Sequence, residues 1–323
     1  MNPRRLFAVV LAAGQGRRLE PINLTHSKAM TPILGKPMVL RVIESLEKAG
    51  LRDFVVVAAP PDRDLVAAVE KIQDRGLSLR LAYQAERKGT GHALLQAAPL
   101  IPGDFILASC DNLYPGDYLQ NLVRTFQENS VAAVLTLAPL SQESLNRAAG
   151  VKLQGDRVIE IREKPGIGSG PWDAAAKFLF AVSHQVLNFL DQVPPSVRGE
   201  IEFQEALIRF LETRPGPAIG RLVHRYLHLS SVKDLLAIHD HYLTFHRPYI
   251  IHQEAKIGPG VTMIHPVMID RGARIAAGAR LGPGVYVGEG AVVEAGAVLE
   301  ECVVYAGARV ARESRRRQEV VLP

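Results

Sequence analysis

Along residues 6–137, short apolar runs alternate with stretches whose apolar residues recur at helical spacing. The runs at 6–11, 54–58, 79–83, 105–108 and 131–137 are rich in Val, Ile, Leu and Phe and predict strands, most of them buried on both faces. Helical patterns lie between them at 38–49, 64–75, 91–98 and 114–127. This alternation builds βαβ units, so the first part of the chain is expected to be α/β, with a Rossmann-like, mostly parallel sheet covered on both faces. In such sheets ligands bind beyond the carboxyl ends of the strands. The segments that follow Leu11, Tyr83 and Ala108 therefore fall at one edge, where they can share a site. The pattern is more irregular over 150–221, with strands at 158–162 and 177–182 and a helix at 202–211. A further helical pattern covers 231–245.

The period then changes. From Ile257 an aliphatic residue recurs every six positions, at Ile257, Met263, Ile269, Ile275, Leu281, Val287, Val293 and Leu299, with a small or β-branched residue four places after each. A period of six suits neither an ordinary helix nor a hairpin; it fits short strands wound into a three-sided solenoid of close to three coils. A flexible Gly-rich tail would not keep apolar positions this regular. The chain thus divides into an α/β domain at 1–230, a helical connector at 231–248, a solenoid at 249–311 and a solvated basic tail at 312–323.

Composition narrows the picture only a little. Lys and Arg exceed Asp and Glu by 38 to 33, which suits anionic substrates without separating nucleotides from nucleic acid. The two cysteines, Cys110 and Cys302, lie far apart and offer no disulfide framework, which fits a reducing cytoplasm. The N-terminus MNPRRLFAVVLAAG has the arginines and small residues of a signal peptide, but its apolar core of six residues is shorter than the roughly 7–15 such a signal uses. No segment approaches the ~20 apolar residues of a membrane helix, so a soluble protein with no membrane partner is expected.

The first strand runs out into LAAGQGRRL, followed by SKAMTPILGKPM. Ala12, Ala13, Gly14 and Gly16 leave backbone N–H groups bare enough to close around phosphate oxygens, and Arg17, Arg18 and Lys28 add positive charge. Leu19 stands where a dinucleotide fingerprint needs its third glycine, and the Lys-Ser or Lys-Thr of a P-loop does not follow. Asp111, in LASCDN, ends a buried strand and opens a loop; it reads either as a turn cap or as a Mg²⁺ ligand beside that phosphate loop. Gln84, with an amide donor and acceptor, and Thr90, with a hydroxyl, in YQAERKGTGHAL, can cap the helix that follows or meet a ligand. His239, His241 and His246 sit on or beside the helical connector, where residues two apart point away from each other, so no shared ligand set is expected.

Residues 6–38 resemble the signature of the sugar-1-phosphate nucleotidyltransferases, and further matches follow in order over about the first 235 residues. Long-form glucose-1-phosphate thymidylyltransferases and N-acetylglucosamine-1-phosphate uridylyltransferases are among the likenesses. The hexads resemble the left-handed parallel β-helix of hexapeptide-repeat proteins. The resemblance implies Mg²⁺-dependent transfer of a nucleotidyl group from UTP or dTTP to a sugar 1-phosphate, with release of pyrophosphate. It implies catalytic roles for Arg18, Lys28 and Lys164, and nucleotide contacts from Leu11, Ala13, Gly14, Gly16, Gln84, Gly89 and Thr90. Gly150 and Glu163 would hold the sugar, and Asp111 would bind the metal. A second metal carboxylate is expected at Glu205, where VRGEIEFQEAL matches the family's acidic stretch. The partners implied are the two small-molecule substrates, with no nucleic acid, in a homo-oligomer assembled through the solenoid. Every substrate residue so named precedes Phe245, so removal of the chain beyond it is expected to leave nucleotide binding intact.

Two departures keep other readings open. The family's Asn-Ala-Gly is here Ala174-Ala175-Ala176, and its aspartate and glycine before the linker helix are His228 and Ser230. With Glu205 these admit a regulatory homologue that binds nucleotide sugars without making them. His265, in the solenoid, resembles the histidine of hexapeptide acyltransferases and admits a bifunctional enzyme.

Overall fold

A computed structural model describes residues 5–24, 26–140, 144–146, 148–166, 168–196, 198–213, 216–244 and 249–323. The chain forms two compact units. The first takes the chain up to Gln15, Ser27–Met30 and Val39–Tyr226; the second takes Gly16–His26, Thr31–Met38 and the chain from Leu227 onward. The signature segment is thus shared between the two units, which a linear division at 230 does not capture. The end of the expected connector, 245–248, with His246, lies outside the described residues.

The first unit is built on a nine-stranded sheet. Its strands are β1 (Phe7–Leu11), β2 (Asp53–Ala58), β3 (Ser78–Tyr83), β4 (Phe105–Ser109), β5 (Ala133–Pro139), β6 (Gly150–Gln154), β7 (Arg157–Arg162), β8 (Ala174–Val182) and β9 (Ala218–Leu222). They lie in the order β3-β2-β1-β4-β8-β5-β9-β7-β6. β3, β2, β1 and β4 run parallel. β8 is antiparallel to both β4 and β5, so the sheet is mixed beyond that point. Helices α1 (Met38–Lys48), α2 (Arg63–Glu70), α3 (Thr90–Ala97), α4 (Gly116–Glu128) and α5 (Phe203–Thr213) supply the crossovers and cover.

Burial on both faces explains the apolar runs. Phe7, Val9 and Leu11 join Ala93 and Leu94 of α3 and Phe203, Leu207 and Phe210 of α5 in one cluster. The alternate residues Ala8 and Val10 point to the other face and are equally buried. Phe203 packs on Phe180 of β8 with ring centroids 5.2 Å apart, and burying a side chain of this size contributes about 1.5–3 kcal/mol. That contact fixes the start of α5 against the sheet.

The second unit carries α6 (Val232–Thr244) and the solenoid. α6 starts with reciprocal caps: the Asp234 amide donates to Ser231 Oγ at 3.2 Å, and the Asp234 carboxylate accepts from Ser230 N and Oγ at 2.9 and 2.7 Å. The solenoid is a left-handed parallel β-helix of three sheets, with five, four and four strands. Tyr249 pairs with Val267 and Val267 with Val285, so each of these coils is three hexads long. Ile269, Ile275, Leu281, Val287, Val293 and Leu299 fill its core. The basic tail expected at 312–323 is instead part of this fold, a correction: Arg315–Arg317 pairs with Val298–Glu300, and Val320–Val321 with Val303–Val304. Arg316 lies opposite Leu299 in register, so an arginine takes the aliphatic position of the hexad and the period fades from view.

Candidate active site

Register brings the signature segments of the first unit to one edge. Leu11, the last residue of β1, lies opposite Val57 of β2 and Ser109 of β4, and Ala58 lies opposite Tyr83 of β3. The ladder continues one residue past each strand: Ala12 N donates to Val57 O at 2.8 Å, Cys110 N to Leu11 O at 3.0 Å, and Gln84 N to Ala58 O at 2.9 Å. The loops that start at Ala12, Gln84 and Asp111 therefore leave from neighbouring strand ends. Ala12 and Ala13 are buried, and Gly14 faces open space. Arg87 ties two of these loops together by donating from Nε to Ala13 O at 2.8 Å, a link sequence reading missed.

Lys28 and Asp111 meet at this edge. The Lys28 ammonium hydrogen-bonds Asp111 Oδ2, and the side chains are only 11% and 17% exposed. Asn112 Nδ2 donates to Asp111 Oδ1 at 3.1 Å, so both carboxylate oxygens face donors. A carboxylate oriented this way already balances a cation. Hard-oxygen donors of this kind suit Mg²⁺, which takes one or two carboxylates and fills its remaining positions with water and phosphate. Next to Asp111, burial pushes the Cys110 thiol up to about 12, so it stays a neutral packing group.

Several expected site residues also carry structural duties. Gly89 has φ +96°, and a Cβ there would stand 2.5 Å from Ile201 O; its glycine is required by the approach of the protein's own backbone. Thr90 does not cap the helix it begins. Its Oγ1 accepts from Phe203 N at 3.0 Å, capping α5, and donates to Glu202 Oε2 at 3.3 Å. Gly91 N to Ile201 O at 2.8 Å and Ile201 N to Lys88 O at 2.7 Å complete this seam. Gly150 is likewise explained by packing, because a Cβ there would stand 2.7 Å from the Trp172 ring. Gln84 is 4% exposed, and its Nε2 donates to Gly89 O at 3.0 Å and lies 3.1 Å from His92 Nδ1. Its donor half is thus directed into the protein.

The seam also shows a residue that sequence reading passed over. Glu202 Oε1 lies 2.7 Å from Arg198 Nη2 and 3.9 Å from Lys164 Nζ, while its other oxygen accepts from Thr90. Glu163 Oε1 lies 2.9 Å from Lys164 Nζ, and Glu163 Oε2 is buried with no hydrogen-bond partner among the described residues. Lys164 itself has φ +39°. Glu202 therefore connects the Gln84–Thr90 segment to Lys164. Glu205, one turn along, accepts from Arg209 Nε at 3.1 Å.

The remaining residues belong to the second unit. Gly16, with φ +69°, precedes the turn Arg17–Leu19, on which Arg18 is exposed. His265 is exposed on the β-helix. Among the described residues no helix is long and apolar enough to cross a membrane.

Residues 7–216 match the nucleotidyl transferase family. The chain belongs to that family. The match covers the strand ends of β1, β3 and β4 and the first-unit site residues from Leu11 to Arg209. A curated relative, the bifunctional protein GlmU of Methanococcus maripaludis, is 28% identical over 83% of this chain and 61% of its own length. The chain thus spans about three fifths of that relative. The UTP–glucose-1-phosphate uridylyltransferase AglF of Haloferax volcanii is 30% identical over 62% of this chain and 81% of its own. Among solved structures, a UDP-glucose pyrophosphorylase in complex with UDP-glucose superposes with a TM-score of 0.66 at 20% identity, over 75% of this chain and 99% of its own, which supports the nucleotidyl transferase fold.

Proposed function

We propose that this protein transfers a nucleotidyl group from UTP or dTTP to a sugar 1-phosphate of the glucose or N-acetylglucosamine class. The observation that carries the reading is the Lys28–Asp111 pair at the strand edge where the Ala12 and Gln84 loops also leave the sheet. A phosphate oxygen of the sugar 1-phosphate attacks the α-phosphorus. The bond from that phosphorus to the bridging oxygen breaks, and its electron pair leaves with pyrophosphate. No protein nucleophile and no proton transfer are needed, so the chain's task is alignment and charge stabilisation.

In this reading Leu11, Ala13, Gly14 and Gly16 cradle the nucleotide with backbone groups, and Gln84 offers its carbonyl oxygen to the N3–H of uracil or thymine. Lys28 neutralises the α-phosphate, Arg18 the departing pyrophosphate, and Lys164, held by Glu163 and Glu202, the incoming sugar phosphate. Mg²⁺ held by Asp111, with Glu205 as a second carboxylate, supplies further charge neutralisation when bound. The flat faces of the β-helix suit a homo-oligomer, and the two buried free cysteines suit a reducing cytoplasm. The test is a matrix of four nucleoside triphosphates against several sugar 1-phosphates, read as pyrophosphate release. Release with UTP or dTTP supports the reading; none with any pair leaves a binding protein.

A further inference from the structure

The second unit contains a short hairpin, Pro32–Ile33 and Lys36–Pro37, that begins four residues after Lys28 in the chain. The hairpin is seated on the β-helix and on α6. Gly35, at its turn with φ +73°, lies so close to the β-helix that a Cβ would stand 3.1 Å from both Asp270 Oδ2 and Tyr286 Oη. Those two groups are themselves joined, Tyr286 donating to Asp270 at 3.0 Å. The Pro32 carbonyl faces two further polar groups, with His239 Nε2 of α6 at 3.3 Å and Tyr305 Oη of the β-helix at 3.5 Å. His239 is 1% exposed, and its ring centroid lies 5.6 Å from that of Tyr286. Ile33 and Met38 are fully buried. The stretch before Lys28, Gly16–His26, belongs to the same unit, so the chain is anchored there on both sides of that lysine.

We propose that the β-helix is a positioning device for nucleotidyl transfer: Asp270, Tyr286, Tyr305 and His239 hold the hairpin Pro32–Pro37 and thereby fix the loop that carries Arg18 and Lys28. The proposal rests on the function proposed above. A cationic side chain that acts by alignment loses much of its effect when displaced by about an ångström. A β-helix coil, closed by parallel ladders on three sides, is a stiffer support than a surface loop. On this proposal the solenoid matters for turnover, while nucleotide binding is still expected to survive removal of the chain beyond Phe245.

The experiment uses full-length protein carrying Tyr286→Phe and Tyr305→Phe together, with Val293→Ala in the β-helix core as the comparison. Amide hydrogen exchange is followed over 28–38, beside kcat, KM and thermal unfolding. The tyrosine pair should speed exchange in the hairpin and lower kcat about ten- to a hundred-fold, with little change in Tm. Val293→Ala should lower Tm and leave kcat at low temperature intact. Unchanged hairpin exchange, or faster exchange with parental kcat, would overturn the proposal. If the parent shows no nucleotidyl transfer at all, the function has failed, whereas hairpin exchange still tests the clamp itself. Should the tyrosine pair not fold, Asp270→Asn carries the same measurements.

Discussion

Thr90 Oγ1 accepts the backbone N–H of Phe203 at 3.0 Å, so the first residue of α3 caps the first residue of α5. The same hydroxyl reaches Glu202, whose carboxylate faces Arg198 and Lys164. A residue expected to contact the nucleotide is thus also the joint between two helices of the first unit. Loss of a helix cap costs about 1 kcal/mol. Thr90→Ala should therefore lower stability by about that amount, and Thr90→Ser should restore most of it. Denaturant unfolding of the two variants, with m unchanged, measures this directly.

Gln84→Ala separates base reading from folding. The carbonyl oxygen assigned to the base is lost, and a lost hydrogen bond of this kind costs about 1–3 kcal/mol, or roughly ten- to a hundred-fold in affinity. The preference for pyrimidine over purine triphosphates should fall by that factor. An unchanged preference would place base reading on other residues. Because Gln84 Nε2 also closes the turn onto Gly89, some stability should be lost as well.

Glu205 faces Arg209 on the surface of α5, with side-chain exposures of 35% and 38%. If Glu205 also meets the metal, Glu205→Gln should raise the Mg²⁺ concentration needed for half-maximal turnover several-fold, on the order expected for losing one hard-oxygen ligand charge. A Mg²⁺ titration that superposes on the parent's leaves Asp111 as the sole carboxylate.

Cys110 gives a pH signature. Burial raises its thiol from an ordinary value of 9.0 to about 12, so the unfolded chain releases this proton at lower pH than the folded one. Its contribution is complete below pH 9 and is lost as pH climbs toward 12. From pH 8 to pH 10 the parent should lose about 1 kcal/mol more stability than Cys110→Ala, since one pH unit beyond the unfolded value is worth ~1.4 kcal/mol. Equal slopes for the two proteins would show that the thiol is not so buried.

Element existence was legible because burial on two faces leaves continuous apolar runs, as in FAVVL of β1, and because the hexad period has no helical counterpart. β6 and β9 were missed: Lys152 and Arg221 interrupt their apolar pattern, so neither shows a clean run. Lys28 and Asp111, named from motif and chemistry, are brought together by the fold. Packing duties were not legible where a close approach comes from far along the chain. Nothing in KGTG shows that Ile201 O will press on Gly89, and nothing around Gly150 shows the Trp172 ring. Glu202 escaped for the same reason, since two of its partners, Thr90 and Lys164, come from distant segments.

The central claim is that the Lys28–Asp111 pair marks a metal-assisted nucleotidyl transfer site. It is tested most directly by Mg²⁺-dependent pyrophosphate release from parent and Asp111→Asn protein, with thermal unfolding recorded on both. The substitution keeps volume but removes the charge opposite Lys28. It should cut turnover by about a hundred-fold or more while leaving a cooperative, somewhat lowered unfolding transition. Parental turnover by Asp111→Asn at the same Mg²⁺ concentration would contradict the account.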